Sequence, residues 1–157
     1  MISVEEAKEL IKKTVLSLAV KEVNVIDALD YFLAESIIAP ISIPSFNQSA
    51  MDGYAFCYED MNQLITVIDE VAAGDIREDV VEKGNAVRIF TGAKVPAGYD
   101  TVVMQELTEL NNDQLNVKDE GLKAGGNIRL KGSQIESGDI ALEKGAKITA
   151  ATIGFIS

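Results

Sequence analysis

The stretch Pro44-Ser45-Phe46-Asn47-Gln48-Ser49-Ala50-Met51-Asp52-Gly53-Tyr54-Ala55 sets one carboxylate, Asp52, beside a glycine in a turn-rich loop that leads into an apparent strand. Glycine supplies backbone freedom there, and Asn and Asp side chains close such turns on local amides. A second punctuated run follows, Arg88-Ile89-Phe90-Thr91-Gly92-Ala93-Lys94-Val95-Pro96-Ala97-Gly98, joining a hydroxyl to a glycine hinge and ending in a Pro-x-Gly turn. Together the two runs predict a site made from two loops on one β-rich domain.

From Pro44 onward the apolar runs are short and β-branched, with Gly, Asn, Asp and Pro between them, the texture of strands and tight turns. Strands are expected at Tyr54–Cys57, Leu64–Val71, Ala86–Phe90, Thr101–Gln105, Gln114–Val117 and Asn127–Leu130, with a hairpin turn at Asn111-Asn112-Asp113. Further short strands are expected at 138–142 and 145–148. Before Pro44 the pattern is helical. Ser3-Val4-Glu5-Glu6 reads as a capping box, and Val4, Ala7, Leu10, Ile11, Val15 and Leu18 recur at helical spacing, predicting a helix over 3–17. A second short helix is expected over 27–32, an extended segment at 37–39, and a short helix or an outgoing apolar run from Thr149 to Ile156. The fold class is therefore α+β, mostly β.

Composition narrows the chemistry. Of 157 residues, 25 are acidic and 14 basic, a formal charge of -11, and 47% are hydrophobic. That supports a real core, while a field of that sign repels phosphate backbones and anionic membranes. Neither a nucleic-acid nor a membrane partner is expected. A lone cysteine, Cys57, excludes an internal disulfide and a Cys-based zinc cage. The absence of histidine removes a His base, a His-assisted triad and a His-ligated metal. Carboxylates, hydroxyls, Lys, Arg, backbone amides and a hard metal ion remain. The amino end is unlike a signal peptide, no apolar run is long enough to span a bilayer, and a cytoplasmic location is expected.

The heptapeptide Ser49-Ala50-Met51-Asp52-Gly53-Tyr54-Ala55, with Phe90-Thr91-Gly92-Ala93, Pro96-Ala97-Gly98-Tyr99-Asp100-Thr101-Val102-Val103-Met104-Gln105-Glu106, Gly126-Asn127-Ile128-Arg129 and Ile153-Gly154 in that order, resembles the signature segments of the molybdopterin molybdenumtransferase family, whose eukaryotic relative is the E domain of gephyrin. The resemblance implies a Mg2+-dependent enzyme that inserts molybdate into adenylylated molybdopterin, acting as an elongated homodimer of four-domain subunits with a site shared between subunits. It implies a first helix, 1–19, packed on a third, pterin-binding domain; an elongated β-rich domain from 20–39 and 138–157; and an inserted β-rich, barrel-like domain over 40–137. On this reading the chain is an amino-terminal fragment that turns over little or no substrate alone. Its uncharged last eight residues are read either as a docked terminus or as the approach to another domain.

The resemblance places Asp52 and Thr91 in the catalytic cleft, with Asp52 as the Mg2+ ligand, and assigns Ser49, Gly53, Gly92, Ala93 and Arg129 to cofactor binding. Each has a structural alternative. Asp52 could be an Asx-turn carboxylate satisfying local amides. Thr91 could close a strand, or present its hydroxyl and the successive N–H groups of Gly92 and Ala93 to an anion. Arg129 could grip an oxyanion through its guanidinium fork, whereas Arg88 reads as structural, paired with an acid. Glu106, ending a strand, reads as structural or catalytic, Cys57 as a small packed residue, and Phe46 and Met51 as loop anchors. The acid-rich run 75–82 reads as a solvated face. The chain also departs from the family pattern, which often carries Arg-Gly-x-Asp where this sequence has Lys131-Gly132-Ser133-Gln134. Gln134 cannot ionise, and that departure keeps open a non-catalytic scaffold that retains the fold. A Ca2+- or Mg2+-binding acidic domain is disfavoured, because no EF-hand spacing is present.

Overall fold

A computed structural model describes residues 2–16, 18–75 and 82–157. The chain divides by its internal contacts into two compact units: Met1–Ile37 with Leu142–Ser157, and Ile38–Ala141.

The second unit carries the sheet. Its strands are β2 (Gln48–Ser49), β3 (Gly53–Phe56), β4 (Ile65–Val71), β5 (Asn85–Ile89), β6 (Thr101–Met104), β7 (Thr108–Asn111), β8 (Gln114–Val117) and β9 (Ile128–Arg129), preceded by β1 (Ile37–Ile38) and followed by β10 (Ile140–Leu142). Six of them form one mixed sheet in the order β6-β3-β5-β4-β8-β7, while β2 pairs with β9 and β1 with β10. All pairings in the large sheet are antiparallel except β4 with β5, which run parallel with a bulge between Val67 and Asp69.

Strand β3 sits between β5 and β6 and is buried at every position. Side chains alternate across a strand, so its two faces feed two different cores. Ala55 joins Val71, Val87, Ile89, Ala93, Val95, Tyr99 and Val102 on one face. Tyr54 and Phe56 join Ile65, Ala86, Val103, Leu115 and Leu122 on the other. A strand covered on both faces reads as a continuous apolar run rather than an alternation, as Gly53-Tyr54-Ala55-Phe56 does. The β7–β8 hairpin turns through Asn112 and Asp113, both at positive φ (47° and 64°). Asn and Asp tolerate that left-handed region better than other non-glycine residues.

In the first unit, α1 spans Val4–Thr14 and opens with the expected capping box. Ser3 Oγ accepts from the Glu6 N–H at 3.1 Å, and Glu6 Oε2 accepts from the Ser3 N–H at 2.8 Å. The helix ends three residues before the expected limit, and Ser17 lies outside the described residues. The helix expected over 27–32 does not form. A single 3-10 turn covers Val25–Asp27, after which the chain runs antiparallel to 145–148. The Asp30 N–H donates to Ile148 O, the Ile148 N–H to Tyr31 O and the Leu33 N–H to Ala146 O. Ladder bonds to a distant segment outweigh a local helix too short to be stable alone. Strand content at 145–148 is confined to one bridge, Phe32 with Lys147. The chain closes with α2, Ala150–Ile156, capped by Thr149. Among the described residues no helix is long and apolar enough to cross a membrane.

Candidate functional site

The two loops picked out by sequence meet because β3 and β5 are neighbours. Gly53 pairs with Ile89 in the antiparallel ladder, so the residue before one strand lies beside the residues after the other. Asp52 Oδ1 accepts a hydrogen bond from the Thr91 N–H at 2.7 Å and another from the Thr91 hydroxyl at 2.8 Å. On the other flank, the Gln105 N–H donates to the Asp52 carbonyl at 3.1 Å, continuing the β3–β6 pairing. Gly53 is required where it stands, since a Cβ there would lie 1.8 Å from the Val103 carbonyl oxygen.

Asp52 is exposed. Its carboxyl is held below the ordinary aspartate range, chiefly by the Thr91 backbone N–H and then by the Thr91 hydroxyl, against an opposing effect of burial, with the Arg88 charge adding least. Hydrogen bonds to the charged form favour it. Both bonds fall on Oδ1, and Oδ2 accepts none from the described residues. The Asp52–Thr91 pair thus presents one fixed, ionised oxygen to solvent.

Ser49 is fully buried and ties the two loops together. Its N–H donates to Ala93 O and its carbonyl accepts from the Gly92 N–H, both at 2.9 Å. Its hydroxyl donates to Met51 O at 2.6 Å. Ser49 acts on the site as a brace and does not reach the surface. Gly92 takes a positive φ of 86°, the conformation for which glycine is suited.

These bonds correct the expectation that Thr91, Gly92 and Ala93 offer successive N–H groups to an anion. The Thr91 N–H goes to Asp52, the Gly92 N–H to Ser49 O, and the Ala93 N–H to Phe90 O. A tight loop satisfies its own donors first, which leaves none of these three N–H groups for an anion. Arg129, assigned to cofactor binding by the resemblance, lies exposed on β9, directly opposite Gln48 on β2.

Arg88 is half-buried on β5, with its guanidinium 6.0 Å from the Tyr54 ring centre and 5.3 Å from that of Phe90. It donates to Gln105 Oε1 at 3.0 Å and lies 3.7 Å from Glu70 Oε2. The acid partner expected of it is present. Glu106 does not end a strand; it sits exposed in a 3-10 turn over Gln105–Leu107. Met51, expected with Phe46 to anchor the loop, is 39% exposed, while Phe46 is half-buried. Gln134 is exposed, its N–H donating to Ile43 O. Cys57 packs against the first core cluster, and burial pushes its thiol up. Most of the acid-rich run 75–82 lies outside the described residues.

Sequence reasoning passed over two residues that hold the site. Gln105 falls at the end of the strand expected over Thr101–Gln105, and only the β3–β6 register shows its N–H fixing the Asp52 carbonyl. Asn127, at a positive φ of 55°, donates from Nδ2 to Val102 O and accepts the Ala50 N–H. The Gly125-Gly126-Asn127 turn signal could have flagged it.

The described residues contain no cluster of three or more Asp, Glu, Cys or His groups able to hold a metal ion. A hard cation here would therefore find a single carboxylate oxygen, with its remaining ligands supplied by substrate and water. Mg2+ accepts that arrangement readily.

Comparison with known proteins agrees with the site motifs. The chain is 37% identical over 163 residues to the molybdopterin molybdenumtransferase of Staphylococcus epidermidis (strain ATCC 35984), covering 99% of this chain and 39% of that protein. It is 35% identical over 160 residues to the protein of the same name from Haemophilus influenzae, covering 100% of this chain and 40% of that one. The chain therefore spans about two fifths of the length of these curated relatives. Among solved structures, a molybdopterin biosynthesis MoeA protein from Pyrococcus horikoshii OT3 superposes with a TM-score of 0.80 at 31% identity, covering 87% of this chain and 38% of that one. A model of the MoeA N-terminal region, domains I and II, matches residues 2–157. With its fold, its ordered motifs and its whole described length in agreement, this chain belongs to the MoeA N-terminal region family.

Proposed function

We propose that the chain is the amino-terminal part of a molybdopterin molybdenumtransferase, which inserts molybdate into adenylylated molybdopterin in molybdenum cofactor synthesis, with Asp52 as its chemical contribution. The observation that carries this reading is the exposed Asp52 carboxylate held by both Thr91 donors at 2.7 and 2.8 Å, at the centre of the family's motif. In this reading Ile38–Ala141 is the inserted domain and the other unit the elongated one. The division of contacts at 37/38 and 141/142 supports that assignment. The remaining pocket would come from a further pterin-binding domain and from a second subunit in a cytoplasmic homodimer.

Thr91 fixes the carboxylate rotamer and keeps the group ionised, so the loop meets its substrate pre-organised. Neither residue is suited to act as a nucleophile: the Thr91 hydroxyl donates to Asp52, whose lowered pKa makes that carboxylate a weak base for activating it. Positioning is the chemistry they can perform. Asp52 Oδ2 would hold Mg2+, which when bound would offset the like charges of carboxylate, phosphate and molybdate. Ser49 and Gly53 serve by bracing that loop, and Gly92 and Ala93 by closing the loop that carries Thr91.

The test is Asp52→Asn in the protein as encoded, with molybdenum cofactor formation as the readout. The substitution keeps size and the Thr91 hydroxyl contact but removes the charge. Cofactor formation should drop on the order of 100-fold while circular dichroism stays native. Undiminished insertion would remove Asp52 from the mechanism.

A further inference from the structure

Since the backbone donors of Thr91, Gly92 and Ala93 are spent internally, an anionic group at this rim needs cationic side chains. We propose that Lys94 and Arg129, set on either side of Gln48 on one face of a small three-segment sheet, form an oxyanion-binding site for a tetrahedral dianion or a phosphate group.

Gln48 bridges antiparallel to Lys94 on one side and pairs with Arg129 in β9 on the other. Residues directly opposite in antiparallel strands project from the same face, so Lys94, Gln48 and Arg129 form one row. The hydrogen-bond pattern tightens the first contact. Ser49 N–H donates to Ala93 O and Val95 N–H to Asn47 O, which makes Gln48 and Lys94 a non-hydrogen-bonded pair, the closer of the two kinds, with Cα atoms about 4.5 Å apart. The Ala50 N–H donates to Asn127 O, so by alternation Gln48 and Arg129 are the wider pair, at about 5.5 Å. Two long cationic side chains therefore flank an amide across about 10 Å of sheet, a span their flexible stems can close onto one anion. The opposite face is inward: Ser49 is fully buried and Ile128 packs against the first core cluster.

The charges are uncompensated. In a chain with 25 acids and 14 bases, neither Lys94 nor Arg129 makes an ion pair or a side-chain hydrogen bond with the described residues, and nor does the Gln48 side chain. Lys94 lies three residues after Thr91 and Gln48 four before Asp52, so the row sits on the two loops of the carboxylate site. Arg supplies a planar fork, Gln an amide donor and Lys a mobile point charge, a set suited to an oxyanion. Assigning the anion to molybdate or to the phosphate of adenylylated pterin rests on the transferase reading; anion binding as such does not.

The experiment titrates the 15N-labelled chain, without Mg2+, with molybdate in one arm and pyrophosphate in the other. Chemical-shift changes should centre on Gln48, Lys94 and Arg129 in at least one arm, and the responding arm names the source. Lys94→Gln or Arg129→Gln should weaken binding about tenfold each, with a native spectrum confirming the fold of these exposed-face variants. Asp52→Asn should leave the shifts in place, so a failure of the Asp52 mechanism and a failure of this site are told apart. Absence of shifts at all three residues in both arms, or wild-type affinity in both Gln variants, overturns the site.

Discussion

At the residue scale the site is a pair, one carboxylate and one threonine, and the pair sets its own charge state. Because the Asp52 pKa is depressed in the folded chain, the stabilisation it brings is present above the unfolded aspartate pKa of about 3.9 and is lost as pH falls through the lower folded value. Thr91→Val removes the hydroxyl but keeps the backbone N–H, which is the larger cause of the shift. Side-chain carbonyl NMR should then show Asp52 titrating higher than in the wild type yet still below an unconstrained aspartate. Thr91→Ser should restore the original curve. An unchanged curve in Thr91→Val would mean that the hydroxyl bond is not formed in solution. The motif made both residues legible; their mutual hydrogen bonds were not, because they depend on the register of β3 against β5.

At the element scale the decisive strand is β3. It has neighbours on both edges and cores on both faces, so it has no slack. Gly53→Ala would drive a methyl group against the Val103 carbonyl, 1.8 Å from the ideal Cβ position. Backbone cannot yield as a side-chain tip can, and the cost should reach at least about 3 kcal/mol, read as a lower urea midpoint. Cofactor formation should fall too, because Asp52 is the preceding residue. A loss below about 1 kcal/mol would show that β6 moves aside. The continuous apolar reading Tyr54-Ala55-Phe56 announced this burial in the sequence. The paired segments 30–33 and 145–148 did not announce themselves: a helical-looking run was recruited into a ladder by residues more than a hundred positions away. Short-range pattern carries no information about that partner.

At the scale of the whole molecule, each unit has its own character. The Ile38–Ala141 unit holds both core clusters. The other unit exposes apolar side chains, Ile26 at 77%, Phe32 at 65% and Phe155 at 50%, and no residue of α1 is buried. Apolar surface of this kind favours association. Following the homodimer proposal, sedimentation of the chain should give a dimer that persists at high salt, since apolar contacts resist screening. A monomer across the accessible concentration range would move the association surface to other parts of the encoded protein.

Sequence alone determined the mostly β class, the capped first helix, the Asn-Asp hairpin and the identity of the two loops, because each rests on local chemistry: alternation, caps, turn residues and a specific motif. Tertiary structure decided that the Thr91 loop closes on itself instead of opening to an anion, that Gln105 and Asn127 hold the site, and that Lys94 and Arg129 share one face across Gln48. Those outcomes turn on which strand lies beside which and in what register. A one-residue slip would move every side chain to the opposite face, and only the folded chain specifies the register.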